Sequence, residues 1–241
     1  LRHGFISAAE EMKTNLMRTA YNPVIYEILD FSCGIFDKNF RMIAQADGLP
    51  IFLGNLSAAV KTVAEDIGEK NFKPGDLYLI NDPYKTGTHV NDVTTVVPIF
   101  ENNIIIGYCS SRAHWLDIGS KDPGGSIDTT DVVQEGLWLR SVKLYDQGKL
   151  NESIWRIIEN NVRYQKNMMG DLRAQIASSR TGEKRLQEIF KKHGHKLSKL
   201  AIDTMILQGS RRASEAVKLI PNGIYKSKVL LDNDVVTNNP V

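Results

Sequence analysis

The chain has 241 residues, 42% hydrophobic and 24% charged, with a formal net charge of +2. That is enough chain to bury one large core or two small ones, and the small net charge sets up no broad field toward nucleic acid or a polyanionic surface. No apolar run approaches the ~20 residues that span a bilayer, and no signal-peptide hydrophobic region opens the sequence.

In chain order, residues 5–20 read as an amphipathic helix, with Phe5, Ala8, Ala9, Met12, Leu16 and Ala20 at helical spacing. Pro23 directs the chain into an extended segment. "EILDFSCGIFD" is a strand of β-formers, and beyond the "DKNF" turn "RMIAQ" is its hairpin partner. A short helix covers 56–69. "DLYLI", "TTVVPIF" and "NIIIGYCSS" are strands, the last two joined through "ENN". A strand around "VKLY" and a helix from Glu152 follow. From Gly170 to Gly209 the pattern is helical, broken at "HGH" (193–195), and "GIYKSKVLL" returns to strand. The paired cations Lys191-Lys192 and Arg211-Arg212 read as solvated helix faces. Cys33 and Cys109, each in an apolar run, read as buried reduced thiols of a cytoplasmic protein, since a disulfide scaffold would be shorter and richer in cysteine.

The expected class is therefore mixed α+β. A strand-rich, metal-binding half spans 1–135, a mainly helical region 136–217, and a further β-rich segment begins at 218–241. The chain opens inside a helical pattern without an initiator methionine and closes in a turn-rich stretch, so the expectation is a fragment of a longer polypeptide.

Chemistry concentrates in the first half. "NDPYKTGTHVNDVT" (81–94) carries His89 and Asp92 three residues apart, just ahead of a strand. "CSSRAHWLDIG" carries His114 and Asp117 at the same spacing, at the end of the next strand. Antiparallel neighbours bring the start of one strand close to the end of the other, so His89, Asp92 and His114 can converge at one rim of the sheet. Two imidazoles and a carboxylate suit Zn²⁺, Mn²⁺ or Fe²⁺ and leave positions open for water or substrate. Asp117 is a further ligand or the acceptor that fixes the tautomer of His114. H-x-x-D alone is a weak signal. An exposed loop histidine, a turn-capping aspartate or a partly buried histidine beside Trp115 would read the same way. The glycine-rich "DPGGS" (122–126) reads as a turn, and no Walker-type or dinucleotide fingerprint is present.

"DFSCGIFD", "NDPYKTGTHVNDVT", "HWLDIGSKDPGG", "QEGLWLRSVKL" and "NVRYQKNMMGDLRAQIASSRTGEKRL" closely resemble, in content and order, the hydantoinase B/oxoprolinase family. That family includes the B-type components of ATP-dependent hydantoinases, 5-oxoprolinase, caprolactamase-type lactam hydrolases, and components of acetone and acetophenone carboxylases. The resemblance implies a two-part machine. An A-type partner uses ATP to phosphorylate a cyclic amide or ketone, and the B-type chain completes the reaction at a divalent metal (Mn, Zn or Fe). It places metal ligands at His89, Asp92 and His114, with Asp30 a further candidate. Asp117 or Asp82 would take a proton from the attacking water, and Arg112, with Lys85 beside it in role, would meet the phosphate. A hydrolase component is the first expectation, a carboxylase component the second and a non-catalytic assembly component the third. The chain departs from the commoner pattern at Ala113-His114, where the family has a histidine pair, and at Gly119-Ser120, where it has a double glycine.

Overall fold

The structure is a computed structural model that describes residues 1–126 and 128–230. Seven strands form one sheet: β1 (Phe31–Asp37), β2 (Met42–Gln45), β3 (Leu77–Ile80), β4 (Asp92–Glu101), β5 (Ile104–His114), β6 (Val142–Asp146) and β7 (Lys149–Leu150). Their order is β2-β1-β5-β4-β3-β6-β7, antiparallel throughout. Strands β6 and β7 come after residue 135, so the sheet is continuous from the first half of the chain into the second.

Helices cover both faces. On one lie α1 (Arg2–Thr19) and α6 (Gln165–Lys218), which pack with Phe31, Cys33, Ile35, Leu79, Val93, Val97 and Cys109. On the other lies α3 (Pro50–Ile67), whose Leu56, Ala59, Val60 and Val63 pack with Phe36, Tyr78, Ile80, Val96 and Tyr108. In β1, β3 and β4 odd-numbered residues thus face α1 and α6 and even-numbered ones face α3, as the two-residue period of a strand requires, whereas Ala44, Ile106 and Leu144 join the α1/α6 side across strands whose register shifts. Burial on both sides explains why these antiparallel strands read as unbroken apolar runs, with every residue of β1 buried. Pro98 is tolerated inside β4 because β3 pairs only as far as Val96. Asn102 and Asn103, both at positive φ, close the β4–β5 hairpin.

Three local expectations are corrected. Pro23 does not hold the chain extended: Asn22 accepts from the Val24 N–H, and Pro23 opens the one-turn helix α2 (Pro23–Tyr26), a position where its missing N–H costs nothing. Helix α3 begins six residues earlier than expected, again with proline at its first position. Residues 223–230 are not a strand, and the remainder of that expected segment, 231–241, lies outside the described residues. The "HGH" break is present in α6, where Gly194 leaves helical geometry at φ 74° and ψ 157°. Helix α6 lies close to the sheet because its inner face is small: a Cβ on Gly182 would stand 2.5 Å from Met12 Sδ and 3.1 Å from Cys109 Cβ. Both cysteines are free and buried, and burial raises the Cys33 thiol to about 11. Among the described residues no helix is long and apolar enough to cross a membrane.

Candidate metal centre

The β4–β5 register sets Asp92 directly opposite His114. Facing side chains on one sheet face start from Cβ atoms about 5 Å apart, and here Asp92 Oδ1 lies 2.8 Å from His114 Nδ1. His89 arrives by a turn. The Asp92 N–H donates to the His89 carbonyl at 3.1 Å, and the His89 N–H donates back to Asp92 Oδ2 at 2.8 Å. That reciprocal pair is why the three-residue spacing works: it puts His89 Nδ1 3.4 Å from Asp92 Oδ2. Gly87 and Thr88, at φ 73° and 67°, turn the loop so that His89 faces the sheet end. Glycine suits 87 because φ 73° with ψ 176° is a conformation L side chains rarely adopt.

Asp92 is wholly buried, while the His89 side chain is 73% exposed, so the cluster opens to solvent on the His89 side. Burial alone would raise the Asp92 carboxyl, but its bonds to His114 and His89 outweigh burial and hold it well below the usual range. Its charge in turn raises His89, chiefly through their hydrogen bond. One donor atom from each of His89, Asp92 and His114 lies within 4.8 Å of the others. Donors sharing one ion at bonds of about 2.1 Å stand at most about 4.2 Å apart, and the Asp92–His114 and Asp92–His89 contacts at 2.8 and 3.4 Å lie inside that limit. Two imidazoles around a buried carboxylate match the chemistry of a divalent site with open positions.

The other expected residues divide. Asp30 sits at the same rim: its carbonyl accepts the His114 N–H at 3.1 Å, and its Oδ1 is buried without a partner. Burial raises its carboxyl, and the pull of His114 offsets that only in part. Arg112 lies two residues before His114 on the same sheet face, fully buried, and desolvation lowers its guanidinium to about 10.

The structure does not bring Asp117 to the cluster. Its Oδ1 accepts from the Gly119 N–H at 3.0 Å and from Arg163 Nη1 at 2.8 Å, and its Oδ2 accepts the Arg163 backbone N–H. It therefore ties the loop after β5 to the segment between α5 (Glu152–Asn160) and α6, with both oxygens engaged there. Asp82 is likewise occupied, capping the one-turn helix α4 (Pro83–Thr86) and pairing with Arg140 at 2.9 Å. Lys85 is exposed.

Sequence reasoning missed the supporting residues. Asn81 donates to the Val90 and Leu137 carbonyls and accepts from the Leu139 N–H, holding 137–139 against the site loop. Glu135, in the segment leading to it, raises His89 through space. Gln175 of α6 accepts from Trp115 Nε1 at 2.7 Å and donates to the Val93 and Ser111 carbonyls, bracing the strand ends beneath Asp92 and His114. The "NDP" asparagine had a local signal, as a polar residue closing an apolar strand. Gln175, 60 residues beyond its partner Trp115, had none.

Known proteins share this chain's sequence and fold. An uncharacterized protein of Methanocaldococcus jannaschii is 41% identical over 77% of this chain and 34% of its own length. A protein of Pseudomonas sp. strain NS671, provisionally assigned as the B component of a D-/L-hydantoinase, is 33% identical over 97% of this chain and 40% of its own. The 5-oxoprolinase of Dictyostelium discoideum is 33% identical over 80% of this chain and 15% of its own. The chain thus spans well under half the length of these relatives. Among solved structures, the ATP-dependent caprolactamase of Pseudomonas jessenii superposes with a TM-score of 0.84 at 28% identity, over 92% of this chain and 38% of that one. A nucleotide-free acetone carboxylase shares the fold, with a TM-score of 0.73 at 23% identity over 82% of this chain and 26% of that one. The hydantoinase B/oxoprolinase family profile matches residues 1–240, and this chain is a member of that family.

Proposed function

We propose that this chain is the metal-dependent core of the B-type component of an ATP-dependent cyclic amide hydrolase, acting on a substrate phosphorylated by an A-type partner. The observation that carries the reading is the meeting of His89, Asp92 and His114 at the solvent-facing end of β4 and β5. The relatives named as the B component of a hydantoinase, the beta component of a caprolactamase and a 5-oxoprolinase support the reaction class.

His89, Asp92 and His114 would hold the ion, with Asp30, outside that close group but coupled through space to all three and carrying an unpartnered Oδ1, as the proton acceptor. A bound divalent ion supplies Lewis-acid polarisation and an acidified water at neutral pH. The chain's own part is orientation. Asp92 fixes the facing nitrogens of both rings, and Gln175 and Asn81 hold the strand ends and the loop that carry them. With Asp117 and Asp82 committed elsewhere, proton transfer falls to Asp30.

The shared fold of acetone carboxylase favours one alternative, a component of a ketone carboxylase. Co-expression with an A-type partner separates the two readings. ATP-dependent ring opening of hydantoin, 5-oxoproline or caprolactam without bicarbonate supports the hydrolase. Product formation only from a ketone with bicarbonate overturns it in favour of the carboxylase.

A further inference from the structure

We propose that the cleft between the far half of α6 and the β1–β2 turn binds a small amphipathic organic anion, an apolar body carrying one acid group. This site is separate from the proposed metal centre and does not depend on it. Its floor includes Ile104 and Ile106, at the start of β5. His114 ends the same strand eight residues beyond Ile106, roughly 26 Å away at the rise of an extended strand.

The cleft has a volume of about 380 Å³, within the range that small-molecule sites occupy. Ile106, Phe190 and Ile202 are buried beneath it, and Ile104 is 61% exposed at its mouth. Four cations, Lys38, Arg41, Lys196 and Lys199, line it with two carboxylates, Asp37 and Asp203. Both carboxylates are already engaged. Arg41 Nη2 lies 2.6 Å from Asp37 and 2.8 Å from Asp203, and Lys199 meets Asp203 at 2.7 Å. Lys38 and Lys196 are exposed and bond to no carboxylate among the described residues. The mouth therefore keeps positive charge in excess over an apolar floor. A neutral apolar ligand would leave the lysines unused, and an inorganic anion would leave the floor wet. A ligand with an apolar body and one anionic end satisfies both.

Two features build the cleft. At Gly194, φ 74° and ψ 157°, α6 breaks, and the His195 ring turns back edge-on to Phe190, with ring centres 5.3 Å apart. His195 Nε2 also reaches Glu101 Oε2 at the end of β4, at 2.5 Å. Further along the helix, Arg41 ties Asp203 to Asp37 at the end of β1. The far half of α6 is thus pinned at His195 and at Asp203, and both residues line the cleft. Phe190 lies before the break and Ile202 after it, so an occupant touches both halves of the helix and restrains the one relative to the other.

The test is titration of the protein with the fluorophore 8-anilinonaphthalene-1-sulfonate, an aromatic body with a single sulfonate, followed by displacement with octanoate. The expected result is one saturable site per chain, emptied by octanoate. Octanol, the same chain without the charge, should be at least about tenfold less effective. Ile104→Glu sets a like charge at the mouth and should weaken dye and octanoate at least about tenfold, at a position exposed enough for the fold to survive. Lys38→Gln/Lys196→Gln should weaken octanoate and leave octanol unchanged, and it decides the matter should Ile104→Glu fail to fold. Octanoate should also slow amide hydrogen exchange in residues 195–206, beyond the break in α6. Octanol displacing the dye as well as octanoate does, dye binding untouched by either variant, or exchange in 195–206 unmoved by octanoate would each overturn the proposal. So would several weak dye sites per chain, the mark of scattered surface contacts.

Discussion

Replacing Asp171 with asparagine should change how stability depends on pH. Asp171 is fully buried in α6, and its Oδ1 accepts from the Tyr21 N–H at 2.7 Å and the Asn22 N–H at 3.2 Å. Its Oδ2 has no partner, and no cation pairs with it among the described residues. Burial raises its carboxyl from 3.8 to about 6, against the pull of the two backbone donors. The folded state therefore holds the proton more tightly than the unfolded state. Below pH 3.8 both are protonated and ionisation costs nothing. As pH rises toward 6 the unfolded chain ionises first and stability falls, and above 6 the full cost persists. A shift of about 2 units corresponds to a cost on the order of 3 kcal/mol, about 1.4 kcal/mol of which accrues between about pH 5 and 7.5. Asparagine keeps the Oδ1 acceptor and cannot ionise. Urea unfolding of both proteins at about pH 5 and 7.5 should show the wild type losing about 1.4 kcal/mol relative to Asp171→Asn. A difference that stays constant between those pH values would refute the reasoning.

Two further substitutions test the packing and the site assignment. Asp117→Asn breaks a pair with the half-exposed Arg163 and should cost about 2–3 kcal/mol, a melting point roughly 4–10 °C lower, with metal content unchanged. Loss of metal at unchanged stability would return Asp117 to the site. Gly107→Ala should destabilise more than Gly182→Ala in thermal melts. A Cβ at 107 meets the Phe36 carbonyl at 2.3 Å, which is backbone and cannot turn away, whereas one at 182 meets the flexible end of Met12. Equal losses would contradict that distinction.

Much of the fold was legible because its signals are local. The strand periods, the "ENN" hairpin and the glycine break in α6 each lie within a few residues. The meeting of His89, Asp92 and His114 follows from one hairpin register and one turn, so spacing alone brought these residues to one rim. Features set by distant partners were not legible. Asp117 carries the same H-x-x-D spacing as Asp92, but Arg163, 46 residues away, captures it. The burial of Arg112 depends on α3, whose start at Pro50 the apolar pattern placed too late. Pro23 misled because proline serves an extended segment and a helix start equally well, and only the Asn22 cap decides between them.

The central claim is that His89, Asp92 and His114 form one divalent site, and elemental analysis of the purified protein tests it most directly. The account predicts about one Mn, Zn or Fe per chain, lost in a His89→Ala/His114→Ala double variant that melts as the wild type does. A wild type free of divalent metal, or a double variant that keeps it, would contradict the account and leave the cluster a buried aspartate bridging two histidines.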